Sequence, residues 1–382
     1  MGEGVGRTRR EVVVTGIGLV SGAGEGAAAH LAAVDARAAP ELKVIVPPYA
    51  VHPAPALDLD RQIPKRSDQR QMEPWQRLGV YAAGLALDHA GLKGDAEAKA
   101  RMHLVVAAGG GERDYAVDGQ ILTGLKGAAD PGAYLNERLM GDLRPTLFLA
   151  QLSNLLAGNI SIVHGVTGAS RTFMGEEASG VDALRIAHAR IASGQADLFL
   201  VGSSYNAERP DVLVTYEMGG HLWPHPFRPV FDRAPEGGFL LGSAAAFLVL
   251  EARAHAEARG ARPLARLADA ASDLTRRAPG SVAESLKRLW WGMGAGAEPL
   301  VVSGATGTAG ITPEERGALE ALAPTVAPIA TGDLLGHPME AQAPVGVALA
   351  AALVEAGRAE EAVVTTVGHR RGEGLVRLTR LA

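Results

Sequence analysis

Short apolar runs alternate with stretches of helical periodicity along the whole of this chain, and that alternation limits the fold more than any other feature. Runs of β character recur at residues 11–17, 103–108, 197–202, 244–250, 299–303, 362–367 and 374–378. Most are rich in Val and Leu, as strands buried on both faces are. Between them, apolar residues fall at helical spacing over 75–91, 146–164, 178–193, 282–291 and 341–356. Such a sequence predicts an α/β protein with crossover connections and a largely parallel sheet. Aromatic residues make up only 4% of the chain while glycines number 48, which suits helices lying close on sheets better than an all-β sandwich.

The 382 residues are enough for two ordinary domains or one internally duplicated unit. A Pro-rich stretch at 40–64 with little periodicity reads as a surface excursion, and 125–143 reads the same way. The charged, helix-like stretch 251–262 includes Gly260, is followed by Pro263 and succeeds a strong apolar strand. It is the expected connection between an N-terminal half, 1–251, and a C-terminal half, 252–382. No short-period repeat is present. One weak echo is visible, since 12–18 and 300–307 are each an apolar strand running into a Gly/Thr turn.

The chain has no cysteine, which excludes disulfides, cysteine-ligated zinc, iron–sulfur clusters and a thiolate nucleophile. A net charge of -5 gives no general attraction to nucleic acid. No apolar segment approaches the roughly 20 residues of a membrane span. The basic, Gly-rich start, Met1 to Arg10, precedes an apolar run broken by Thr15, Gly16 and Gly18, which reads as a strand and turn rather than a signal peptide. The expected location is cytoplasmic. The cluster Gly109 to Gly111 lacks the further glycine, or the Lys-Ser/Thr pair, of a nucleotide loop and reads as a close-packed turn. His221, His225 and the pair Trp290 and Trp291 stand at no metal-ligand spacing and read as packing residues, so no metal is expected.

The segment 163–194, VHGVTGASRTFMGEEASGVDALRIAHARIASG, followed by the strand ADLFLVGSS, resembles the nucleophile region of β-ketoacyl synthases. In that family a strand ends in a turn of Thr-Ala-Cys-Ala-Ser-Gly, and the helix beginning at the cysteine stabilises its thiolate. Ala178, Ser179 and Gly180 match the second half of that pattern, but Glu177 occupies the cysteine position, behind Gly175 and Glu176. The opening RREVVVTGIGLV resembles the family's first strand. Arg228, Pro229, Phe231, Asp232, Gly238, Phe239, Gly242 and Leu250 follow another of its stretches, with Ser243 at a glutamate position. The family's His-Gly-Thr-Gly-Thr is similar to Gly304-Ala305-Thr306-Gly307-Thr308, so Gly304 stands where the first catalytic histidine would be. Its Lys-x-x-x-Gly-His is similar to the stretch from Gly332 to His337, which keeps the second histidine and loses the lysine. The C-terminal gating loop is matched only loosely by VGHRRGEG at 367–374.

This resemblance implies a thiolase fold, a duplicated five-layer α-β-α-β-α arrangement, and kinship with the 3-oxoacyl-acyl carrier protein synthases, the acyltransferases of fatty acid and polyketide biosynthesis. It also implies that condensation is lost. A carboxylate attacking a thioester yields a mixed anhydride less stable than the reactant, so Glu177 stores no acyl group. Losing one oxyanion or enolate donor typically costs about 10²–10³ in rate. Glu176 and Glu177 either sit as acidic residues at the positive end of a helix, or Glu177 is a permanent anion in the old site that accepts a hydrogen bond from His337. His337 reads as a satisfied remnant rather than a general base.

By the same resemblance, Thr306 and Thr308 flank the phosphopantetheine arm of an acyl carrier protein or merely fix a turn. Apart from that arm no cofactor is implied. The basic residues Lys65, Arg66 and Arg70 either dock the acidic carrier protein or form a solvated face. A retained fold with a lost nucleophile resembles the chain-length-factor type, which pairs with an active ketosynthase as a heterodimer. In such pairs the strand near 170–175 lies at the interface, where Phe173 and Met174 line the partner's acyl tunnel. The alternatives are a priming malonyl carrier protein decarboxylase and a homodimeric acyl-binding protein.

Overall fold

The computed structural model describes residues 9–142, 149 and 151–381. Its main sheet is built from β1 (Val12–Ser21), β2 (His103–Ala107), β3 (Ser170–Phe173), β4 (Leu198–Tyr205), β5 (Ala244–Ala252), β6 (Ala265–Asp273), β7 (Leu300–Ser303), β8 (Ile329–Ala330), β9 (Glu361–Val367) and β10 (Glu373–Thr379). The spatial order is β8-β7-β9-β10-β6-β1-β5-β4-β2-β3, with Gly24–Glu25 as a short addition on β1.

That order contains a duplication. The first five strands lie as third, second, fourth, fifth, first, and so do the second five. The directions repeat as well. β3, β2 and β4 are parallel, and so are β8, β7 and β9. β5 and β1 then run antiparallel to their neighbours, as do β10 and β6. The two sets meet where β1 and β6 pair at Val13↔Arg266 and Val14↔Ala265.

Side-chain alternation along each strand separates the layers. On β2, Leu104 and Val106 face one apolar cluster and Val105 and Ala107 face another. On β9, Ala362 and Val364 face that second cluster while Val363 and Val367 face a third. The outer clusters hold helices α1 (Pro74–His89) and α2 (Leu155–His164) on one side, and α5 (Ser281–Gly292) and α6 (Ile311–Leu322) on the other. The shared middle cluster holds α3 (Glu177–Ala192) and α7 (Gln342–Glu355); α4 (Pro210–Met218) packs at its margin. The result is the five-layer α-β-α-β-α order. Every residue of α7 from Gln342 to Val354 is buried, as expected of a helix that is apolar all round.

The sheet is mixed, not largely parallel. The five-residue link 368–372 between β9 and β10 can only close an antiparallel pair, because a parallel one needs a crossover of a dozen residues or more. The echo between 12–18 and 300–307 does not join equivalent strands, since β1 corresponds to β6 and β7 corresponds to β2. The strand β6 escapes periodicity because its inward positions, Ala265, Leu267 and Ala270, are mostly small.

Two excursions are also more ordered than their composition suggests. Within 40–64 there is a hairpin, Lys43–Val46 with Tyr49–Val51. Within 125–143 lies a helix, Pro131–Gly141, capped by Asp130 accepting from the amide of Ala133. In the connection 251–262, β5 runs on to Ala252 before the helix Arg253–Ala258 begins. Of the stretch 146–164, helix α2 covers Leu155–His164, while residues 146–148 and 150 lie outside the described residues, as do residue 143 and the Gly-rich start, 1–8.

The approach of α3 to the turn before α7 places the site. Gly180 allows it: a Cβ there would lie 2.5 Å from the Glu340 carbonyl oxygen and 2.9 Å from Pro344 Cδ. Gly180→Ala is therefore expected to lower stability by about 1–3 kcal/mol, the usual cost of overpacking, read as a lower urea midpoint at unchanged slope.

Candidate functional site

β3 ends at Phe173, the chain turns through Gly175 at φ 153, and α3 starts at Glu177. A positive φ of that size favours glycine. Glu176 occupies the N-cap position but makes no capping hydrogen bond, and the Glu177 side chain turns inward. Its Oε1 accepts from His337 Nε2 at 2.8 Å, from His369 Nδ1 at 2.9 Å and from the His369 backbone amide at 3.1 Å. All three residues are buried, at 0%, 1% and 3% exposure.

His337 is held by a chain of polar groups. Thr331 Oγ1 donates to the Ser303 carbonyl at 3.1 Å, and Gln342 Nε2 donates to Thr331 Oγ1 at 2.6 Å. Gln342 Oε1 then accepts from His337 Nδ1 at 3.1 Å. Read in that direction, His337 is held by an acceptor at each ring nitrogen, Gln342 at Nδ1 and Glu177 at Nε2. Burial pushes the Glu177 carboxyl up, but hydrogen bonds from His337 and His369, with their charge, more than offset it and hold it well below the usual carboxylate range.

His369 was not singled out by the sequence, because its loop matches the family pattern so loosely. Its ring packs against Tyr216, His221 and Phe239, with centroids 4.9–5.5 Å away. His221 is thus a packing residue, and the ring it packs against belongs to the site. His225 is exposed and pairs with Glu236 at 3.0 Å, Trp290 is core, and Trp291 is exposed.

The loss at position 304 is tied to Gln342. A Cβ on Gly304 would lie 2.6 Å from the Thr365 carbonyl oxygen and 2.8 Å from Gln342 Nε2, so the glutamine fills the space a side chain at 304 would enter. Thr306 donates to Thr308 Oγ1 at 2.8 Å and accepts from its amide at 3.2 Å, which consumes the buried hydroxyl inside the turn. Thr308 is half-buried. A Cβ on Gly332 would lie 3.0 Å from the Ala305 carbonyl oxygen, a tight contact that the backbone would have to yield to. Ser243 Oγ accepts from the amide of Ala207 at 3.0 Å. On β3, Phe173 is half-buried while Met174, just beyond it, is 72% exposed. Lys65, Arg66 and Arg70 are exposed, on or beside the helix Arg66–Gln71.

A second buried acid, Glu340, is absent from the sequence reading. Glycine at 109 makes room for it, since a Cβ there would lie 2.2 Å from Glu340 Oε1. Glu340 lines a cavity of about 200 Å³ with Trp75, Tyr205, Asn206, Arg209 and Asp211. Burial, reinforced by the charges of Glu177 and Glu176, pushes its pKa up to about 8.

The sequence profile described as "Beta-ketoacyl synthase, N-terminal domain" matches residues 50–256. The chain belongs to the β-ketoacyl synthase family. Among its relatives is the 3-oxoacyl-[acyl-carrier-protein] synthase 2 of Vibrio cholerae, 27% identical over 205 residues, which are 53% of this chain and 47% of that protein. Nodulation protein E of Rhizobium leguminosarum bv. trifolii is 29% identical over 266 residues, 68% of this chain and 62% of the relative. The match thus spans about half the length of the first of these relatives.

Two solved ketosynthase structures share the fold. The ishigamide ketosynthase/chain length factor aligns with a TM-score of 0.82 at 20% identity, covering 98% of this chain and all of that one. A type II polyketide ketosynthase in complex with its acyl carrier protein aligns with a TM-score of 0.76 at 20% identity and the same coverage. These likenesses establish the thiolase-type fold expected for a ketosynthase-family chain. No described helix is long and apolar enough to cross a membrane.

Glu340 gives the site a pH signature. A carboxyl raised from about 4.5 to about 8 in the folded state binds its proton more tightly there than in the unfolded chain. Stability is then lost as pH climbs from about 4.5 to about 8 and levels off above. Glu340→Gln removes that loss, so its melting temperature relative to wild type should rise between pH 5 and pH 8. The gain is on the order of 4 kcal/mol at most. A difference that stays flat over this range would contradict the assignment.

Proposed function

We propose that this ketosynthase homologue does not condense acyl groups and instead serves as a chain-length-factor-like partner of an active ketosynthase in fatty acid or polyketide synthesis. The observation that carries the proposal is the use made of Glu177. The residue aligned with the family's nucleophile is a buried carboxylate whose Oε1 is already the acceptor of three hydrogen bonds. Gly304, where the family's first histidine would stand, is closed to a larger side chain by Gln342 and the Thr365 carbonyl. Neither a nucleophile nor a second imidazole for the enolate remains in its family position.

The free edge of the sheet supports a partner. β3 lies at the end of the strand order and, among the described residues, pairs only with β2, so its outer backbone groups face no described strand and can meet another chain. Beside it, Met174 and Ile162 are 72% and 73% exposed, large apolar residues of the kind that interfaces cover. The likeness to a ketosynthase/chain length factor structure across 98% of the chain supports the same reading. The carrier protein, with its phosphopantetheine arm, then reaches the active partner's site. By the family resemblance Thr308, half-buried, would flank that arm, whereas Thr306 is committed to its turn.

The test is reconstitution. Co-expressed with an intact Cys-His-His synthase and a carrier protein, this chain is expected to co-purify as a complex and to shift product chain length, while showing no elongation alone. Met174→Ala and Phe173→Ala should alter the length distribution without abolishing assembly. Identical products with and without this chain, together with failure to form a complex, would refute the proposal. A homodimer that binds acyl groups would point instead to an acyl-binding protein. Carbon dioxide release from malonyl carrier protein by the isolated chain would show a decarboxylase.

A further inference from the structure

Glu177, His337 and His369 come from three separate segments: the start of α3, the turn before α7, and the β9–β10 link. Each offers one donor atom, and the three donor atoms lie within 4.8 Å of one another in a buried setting. Two imidazoles and one carboxylate are a common donor set for divalent transition ions, with metal–donor distances of about 2.0–2.2 Å.

Three further observations point to a ligand rather than a plain ion pair. Glu177 Oε2 is buried and has no hydrogen-bond partner among the described residues, although its carboxylate is fully enclosed. His369 Nε2 is likewise buried and unpartnered. The outer nitrogen of His337 faces an acceptor, Nδ1 donating to Gln342 Oε1 at 3.1 Å, while that of His369 lies 3.7 Å from Glu176 Oε1, beyond hydrogen-bond distance. For His337 that is the arrangement by which metal-binding histidines are oriented, the remote N–H donated to a carbonyl or carboxylate.

We propose that these three side chains bind a divalent transition ion, Zn²⁺ or a similar first-row cation, through Glu177, His337 Nε2 and His369 Nδ1. The ion takes the place of the hydrogens between the two ring nitrogens and Glu177 Oε1, each ring binding as a neutral imidazole that carries its one proton on the outer nitrogen, with any surplus proton passing to solvent, and it engages the orphaned Oε2. Donor atoms now 2.8–2.9 Å apart move outward to about 3.3 Å, the spacing of neighbouring ligands around a tetrahedral ion. Closed inside the core, such an ion is structural. It ties the nucleophile turn to both flanking loops and is acquired during folding. The inference concerns this chain alone and holds or fails whether or not it partners a synthase.

The experiment uses the full chain carrying an affinity tag without histidine. It is expressed in zinc-supplemented medium and assayed by elemental analysis. It is then unfolded with a chelator and refolded with Co²⁺ alone, with visible absorption as readout. About one ion per chain is expected in both cases, with tetrahedral cobalt bands. Glu177→Gln and His369→Phe, the latter chosen to pack among Tyr216, His221 and Phe239, should each lower loading by about tenfold or more. His225→Ala, at an exposed histidine outside the cluster, should leave loading unchanged.

Wild-type protein that takes up no ion by either route overturns the proposal, as does equal loading in the two cluster variants. Should a variant fail to fold, X-ray absorption at the metal edge of the wild type decides. A shell of two imidazoles and one carboxylate supports the proposal, and any other shell overturns it.

Discussion

A carboxylate taken wholly out of water has to be matched where it lies, and the centre of this protein is arranged around that requirement at Glu177. One oxygen gathers two imidazoles and a backbone amide from loops far apart in sequence. Removing one partner of a buried ionic group typically costs about 3–5 kcal/mol, because the remaining charge is stranded. The start of α3, the turn before α7 and the β9–β10 link are therefore fixed to one another by a single side chain. The same requirement closes the position from which a ketosynthase would attack its substrate.

Around that carboxylate the substitutions are coupled. Gln342 occupies the space beside Gly304 and holds His337 in orientation. Glycine at 109 makes room for Glu340, and Gly180 lets α3 close on the Glu340 backbone. Restoring one family residue would thus collide with another that has changed. Cysteine at 177 would strand two histidines, and histidine at 304 would run into Gln342. This is a site rebuilt as a unit, and its polar filling differs in kind from an open tunnel with one residue missing.

Parts of this were legible from the residues alone. The strand-to-helix turn before Glu177 carried a strong local signature, and Val/Leu-rich runs marked β2, β4, β5, β7 and β9. The strand β6 was invisible, since its small inward residues depend on α3 and the opposing strands for burial rather than on their own hydrophobicity. His369 and Glu340 were missed for a related reason. Neither sits at a readable spacing from Glu177, and each gains its meaning only when the loops converge.

The sequence by itself determined the class of fold, the absence of any thiol chemistry and the departure of Glu177 and Gly304 from the family's pattern, because these are properties of residue identity and local period. Tertiary structure alone decided the repeated strand order of the two halves, the mixed direction of the sheet and the gathering of Glu177, His337 and His369 into one buried cluster. Those depend on which distant segments pack together. A carboxylate in the first turn of a helix is an ordinary sight in sequence. Only the closure of the core around it makes its pairing obligatory.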